Sequence, residues 1–169
     1  MIRVADYVIQ FLEDYGVENI FTVSGGGSIF LCDAVASAKK LKYFCCHHEQ
    51  AVSYASEAYA RTKNSLGVSL VTTGPGATNA ISGACGSWMD SVPHLLISGQ
   101  VFLNQTIGTT GLRQLGVQEI NIIDIVKPIT KFSKVTFGPC VFLESTHNIL
   151  IAFILMLFLC FKNRNILCV

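Results

Sequence analysis

Apolar positions recur at helical spacing from residue 3 onward. Val4, Val8, Phe11 and Tyr15 mark the stripe, and Gly16 stands where a left-handed cap would stop the helix. Short apolar runs then alternate with amphipathic stretches. "ENIFTV" (18–23) is followed by "SGGGS" and by "IFLCDAVASA" (29–38), which reads as a helix. "LKYFCC" (41–46) precedes a helix marked by Ala51, Ala55 and Ala58 that ends near Asn64. "GVSLVT" (67–72) precedes the loop "TGPGATN", the helix "AISGACGSWM" (80–89) and the strand "HLLISG" (94–99). The runs are short, apolar and not alternating, as in parallel strands buried on both faces. With a helix in each crossover, the expected class is α/β, a doubly wound and mostly parallel sheet covered on both sides. Ligands of such sheets bind beyond the carboxyl ends of the strands. Those ends carry "SGGG", "HHE", "TTGPG" and "SGQ". Residues 101–126 read as a mobile loop leading into a short helix, and Pro128 breaks what precedes it.

Composition narrows the function classes. A length of 169 residues suits one domain, and a net charge of +1 with 14% charged residues shows no basic stripe, so nucleic acid is not an expected partner. The cysteines number seven, an odd count without a CxxC, and the helical pattern starts almost at once, so a targeting segment is not expected. Reduced thiols and a cytoplasmic setting are therefore expected, not a disulfide framework.

"CCHHEQ" (45–50) concentrates the reactive residue types. Tetrahedral zinc needs spaced ligand pairs, whereas neighbours on a strand face opposite ways, and His94 and His147 stand alone. No metal ligands are expected. Cys45 and Cys46 read instead as buried apolar residues at a strand end, and His48 as a packing or hydrogen-bonding neighbour of the loop. Glu49 opens a helix, where a carboxylate either serves the helix dipole or does catalytic work. "SGGG" (24–27) is a tight βα turn or a phosphate cradle, and matches neither GxGxxG nor GxxxxGK[ST]. "TTGPGATN" (72–79) sets two glycines around a rigid proline, which suits close approach of a flat ligand. Thr78 and Asn79 can cap the next helix or bond within the loop.

Taken together, "GVENIFTVSGGGSIFLCDAV", "HHEQAVSYASEAYART" and "GVSLVTTGPGATNAISGACGSWMDSVPHLLISGQ" resemble the N-terminal pyrimidine-binding domain of thiamine diphosphate enzymes, most closely the acetolactate synthase-like branch, over about residues 1–133. The resemblance implies thiamine diphosphate as cofactor. It implies that Glu49 contacts the aminopyrimidine and favours the tautomer that activates the thiazolium carbon. Ser24, Gly25 and Gly26 would face the active centre, and Thr73, Gly74, Pro75, Gly76 and Asn79 would line the pyrimidine pocket. Gln118 in "VQE" would reach toward a 2-keto acid such as pyruvate. Two departures stand out. Ser24 replaces the usual proline of the glycine turn, and Val117 replaces a usual phenylalanine, leaving more room beside the substrate.

In the family, diphosphate and Mg²⁺ are held by a C-terminal domain with a GDG element, and "GDG" occurs nowhere in this chain. The chain is therefore expected to supply half a site and to be inactive alone, with Mg²⁺ bound only through the missing domain. Expected partners are a second copy or a full-length paralogue, met through the pyrimidine-domain face. A non-catalytic module that pairs with that paralogue is an alternative. Residues 134–169 read as a foreign apolar tail, rich in Phe, Ile, Leu, Asn, Lys and Cys as translated AT-rich DNA would be; a frameshift or retained intron would give it. Within it, "ILIAFILMLFLCF" (149–161) spans about 20 Å as a helix, short of the roughly 20 residues that cross a membrane. A short anchor, giving a small membrane protein, and a core helix are the other readings.

Overall fold

A computed structural model describes residues 3–135 and 154–158. The first helix, α1 (Val4–Tyr15), ends at Gly16, whose φ of 92° and ψ of 18° form the left-handed cap; its N–H is donated to the Glu13 and Leu12 carbonyls. The buried stripe is Ala5, Val8, Ile9 and Leu12. It lies one position round from the expected one, so Tyr15 is exposed.

Next come β1 (Asn19–Thr22), α2 (Ile29–Ala36), β2 (Lys42–Cys45), α3 (Glu49–Lys63), β3 (Gly67–Val71), α4 (Pro75–Asn79), α5 (Ile81–Met89) and β4 (His94–Ser98). After the long loop follow α6 (Ile122–Val126), β5 (Phe132–Val135) and β6 (Ile154–Phe158). The sheet order is β2-β1-β3-β4-β6-β5. The first four strands are parallel, as expected. β6 runs antiparallel to both neighbours, pairing Ser98 with Ile154 on one side and Val135 with Ile154 on the other.

Period-two alternation sorts the central strands onto two cores. Val68, Leu70, Leu95 and Ile97 face α1 and α2. Val71 and Leu96 face the other way, with Val52, Ala77, Ala80, Ala84, Ile122 and Val126. Helices thus cover both faces, and the fold is the doubly wound α/β sheet. α3 and α5 meet closely because Gly83 has no side chain: a Cβ there would lie 2.6 Å from the Ser53 Cβ. Arg61 fastens the far end of the pair, its Nε donating to Glu57 Oε1 at 3.0 Å while its guanidinium also meets Asp90.

Three expectations need correction. β2 is not buried on both faces: it is the edge strand and all four residues are exposed. Cys45 is accordingly exposed and Cys46 half-buried, not sealed in a core. "TGPGATN" is not loop throughout, because Pro75, well suited to a first helical turn, starts α4. Residues 154–158 are strand, so the helical reading of that stretch is overturned; residues 149–153 and 159–161 of the same run lie outside the described residues. Among the described residues no helix is long and apolar enough to cross a membrane.

Candidate cofactor-binding site

The chain leaves β1 through α2 toward β2 on one side, and leaves β3 through α4 and α5 toward β4 on the other. β1 and β3 are neighbours, so their loops diverge at a switch point, where open α/β sheets form a ligand crevice. The loops there interlock at backbone distance. The Gly27 N–H donates to Thr72 Oγ1 at 3.1 Å, and a Cβ on Gly27 would lie 2.9 Å from the Thr73 Cγ2. Gly25 sits against the Thr72 side chain in the same way, and Gly99 against the Gly27 backbone. The glycine turn closes on itself, the Ser28 N–H donating to the Gly25 carbonyl at 3.1 Å. Ser24 and Gly26 remain exposed on its outer side. Thr73 is buried and donates to Gln100 Oε1 at 3.1 Å, and that oxygen also accepts from Val101 N–H at 2.9 Å. Gln100 therefore secures the β3 loop from the β4 loop.

Glu49 enters the crevice from the next helix over. His48 has extended backbone and caps α3, its Nδ1 accepting from the Gln50 N–H at 3.1 Å. That cap fixes Glu49 in the first helical turn. The carboxylate is half-buried, and its Oε2 accepts from Asn79 Nδ2 at 3.0 Å, across from the end of α4. Its Oε1 points past Gly76, where an added Cβ would lie 3.4 Å away. Gly76 has no side chain because it packs on Thr72, where a Cβ would lie 2.6 Å from Cγ2, and this brings the start of α4 beside the Glu49 carboxylate.

Gln118 arrives by its backbone. Gly74 has φ 57° and ψ −116°, a conformation for glycine alone, and a Cβ on it would run into the Gln118 carbonyl oxygen. Gln118 itself has φ 58° and is exposed. The structure thus brings Glu49, Thr73, Gly74, Gly76 and Asn79 to one crevice with the Gly25 turn, and sets the backbone of Gln118 against its rim. Sequence reasoning placed Thr72 and Gln100 in the strand-end loops without foreseeing that their side chains tie those loops together, and it missed Glu119, which is buried beside Gln118. Each has one partner 12 to 45 residues away, Gly27 for Thr72, Thr73 for Gln100 and Ile107 for Glu119, and those long-range bonds carry no local signal. Among the described residues no three His, Cys, Asp or Glu converge as metal ligands.

The donor set suits a flat heteroaromatic ring: a carboxylate held by Asn79 through one oxygen, beside walls of glycine backbone. Residues 2–125 match the family described as thiamine pyrophosphate enzyme, N-terminal TPP binding domain. The acetolactate synthase large subunit of Haemophilus influenzae is 40% identical over 129 residues, covering 76% of this chain and 22% of that protein. The large subunit of Lactococcus lactis is 37% identical over 126 residues, covering 75% and 21%. The isozyme 3 large subunit of Escherichia coli is 35% identical over 133 residues, covering 79% and 22%. The chain thus spans about a fifth of the length of these relatives.

Proposed function

The chain belongs to the family of thiamine pyrophosphate enzyme N-terminal domains, and from that premise we propose that it carries the pyrimidine side of an acetolactate synthase-like site, with Glu49 as its acid–base residue. The single observation behind this is the Glu49 carboxylate, held by Asn79 through one oxygen and open past Gly76 through the other. Thiamine diphosphate, when bound, supplies the electron sink for decarboxylation of a 2-keto acid. The residues here do the rest of the pyrimidine-side work. Thr73, Gly74, Pro75 and Gly76 shape a wall that admits a ring. Asn79 orients the carboxylate, and Glu49 holds or passes a proton at the open oxygen. Ser24, Gly25 and Gly26 border the crevice, and Gln118 extends toward a pyruvate-like substrate.

The residues described here supply only the pyrimidine side of such a site. Diphosphate and Mg²⁺ fall to another domain, and the chain alone is inactive. Its partner is a second copy or a full-length paralogue. Exposed apolar side chains favour such pairing: Ile29 and Phe30 begin α2, and Tyr54 and Met89 lie on the packed pair α3 and α5. In this reading the family domain runs to about residue 133 and residues 134–169 are of separate origin, on the ground of their composition, and residues 154–158 of that segment add to the sheet between β4 and β5. Sequencing the transcript past codon 133 tests that boundary.

In the assembled holoenzyme, Glu49→Gln should slow exchange of the cofactor's acidic carbon-bound proton by about 10²–10⁴-fold, the usual worth of a positioned acid–base group, while melting stays unchanged. Exchange at the wild-type rate would refute the role of Glu49. Pyruvate decarboxylation by the purified chain alone, with cofactor and Mg²⁺, would refute the half-site reading.

A further inference from the structure

Glu119 is 8% exposed, and its carboxylate is spent on the main chain of its own loop. Oε1 accepts from the Ile107 N–H at 2.6 Å, and Oε2 accepts from the Gly116 N–H at 3.4 Å. The Glu119 N–H donates back to the Gly116 carbonyl at 3.2 Å, closing a four-residue turn. Gln118 occupies the third position of that turn at φ 58°, where a non-glycine residue is strained and persists only if its surroundings enforce it. The surroundings are explicit. Gly116 fits without a side chain, since a Cβ would lie 2.8 Å from the Gln105 carbonyl oxygen and 2.8 Å from Val101 Cγ1. Gly74 meets the Gln118 carbonyl from the other side. Bonds from a buried carboxylate to backbone N–H groups are charge-assisted and strong.

We propose that Glu119 is a positioning residue for Gln118: it ties Ile107 to Gly116, and so locks the Gln118 backbone in its left-handed conformation against Gly74. The strained turn frees the Gln118 side chain to project into solvent at the crevice rim. A loop of this length would otherwise sample many conformations and present that side chain only part of the time. The proposal deepens the functional reading and takes its chemical meaning from Gln118 as the substrate-facing glutamine.

Amide hydrogen exchange on the full chain tests it. Glu119→Ala should speed exchange at Ile107 and Gly116 by about tenfold or more, because a hydrogen bond to a charged group is lost at each. The Gln118 amide signal should split or broaden, and exchange at Leu95–Ile97 of β4 should not change. Glu119→Gln keeps one side-chain oxygen and should restore protection at one of the two amides. Unchanged exchange at both amides overturns the clamp, as does a uniform rise across β3 and β4, which marks general destabilisation. If Glu119→Ala does not fold, Glu119→Gln decides: loss at neither amide overturns the proposal. Gln118→Ala should leave both amides protected. If that variant also leaves pyruvate turnover of the assembled enzyme unchanged, the substrate role of Gln118 fails while the clamp stands.

Discussion

Glu49 and Ser56 are seven residues apart on α3, two turns along one face, yet they have opposite fates. Ser56 is sealed. It donates to the Val68 carbonyl at 3.0 Å and accepts from Ser69 at 2.7 Å. The chain continues from Ser69 to His94 Nε2 at 2.8 Å, and from His94 Nδ1 to Ser87 at 2.9 Å. Ser87 also donates to the Gly83 carbonyl at 3.2 Å, so hydroxyls engage both ring nitrogens and are themselves tied to other groups of the core. Glu49 sits at the open end of the same face, with one oxygen bonded to Asn79 and the other turned to the crevice. A polar group becomes structural when its neighbours satisfy it, and remains available for chemistry when they leave a lone pair free.

Acid gives the largest expected break in that comparison. Burial pushes His94 down from 6.5 to about 3, because an imidazolium in the core loses its hydration. The sign follows. Between those values the unfolded chain binds a proton that the folded chain refuses, so stability falls as pH drops below 6.5. The loss attributable to His94 between pH 6.5 and pH 4 is about 3 kcal/mol. Urea midpoints of wild type and His94→Asn at the two pH values isolate it from the carboxylates. The variant should be less stable at pH 7 and should show a shallower acid slope. Equal slopes would mean that His94 is not the acid-sensitive element of the core.

How far this contrast could be read in advance depends on range. Strand–loop–helix order, the glycine cap at Gly16 and the convergence of four strand-end loops follow from local periodicity and turn chemistry, and the structure has them. Glu49 of "CCHHEQ" likewise opens a helix, as its place after a strand predicts. What failed was long-range. "KYFC" is as apolar as a core strand, but sheet order makes β2 an edge, so Cys45 is exposed. His94 reads as a lone histidine on a strand, and nothing local marks it as the centre of a buried network. The buried network needs Ser56, Ser69 and Ser87 brought from three separate elements. Glu119 followed the glutamine singled out by resemblance, but its partner at Ile107 is 12 residues upstream.

Gly74→Ala should act on the open end alone, at an intermediate size. A methyl group would both strain a glycine-only backbone and collide with the Gln118 carbonyl, for a cost of about 2 kcal/mol. The contrast predicts where the damage goes. Exchange protection should drop at Gly116 and Gln118, while the β3 and β4 amides around Ser69 and His94 keep theirs. If protection falls first in β3 and β4, the two ends are one cooperative unit and the division drawn between them is wrong.

The smallest effect compares two residues of one type. His48 and His94 both bond through ring nitrogens, but His48 is exposed and uses a single acceptor to cap α3, whereas His94 is enclosed by hydroxyls. Losing a cap costs about 1 kcal/mol, because one of the four open N–H groups of the helix start goes back to water. His48→Ala should therefore shift the urea midpoint slightly with an unchanged slope against denaturant. His48→Ser or His48→Asp should recover the loss, since either oxygen can accept from the Gln50 N–H. No such exchange should rescue His94, where both ring nitrogens are needed at fixed separation between Ser69 and Ser87. If serine failed at position 48, the imidazole would be doing more than capping. Its contact with the first turn, and so the orientation of Glu49, would then have to be counted with the crevice.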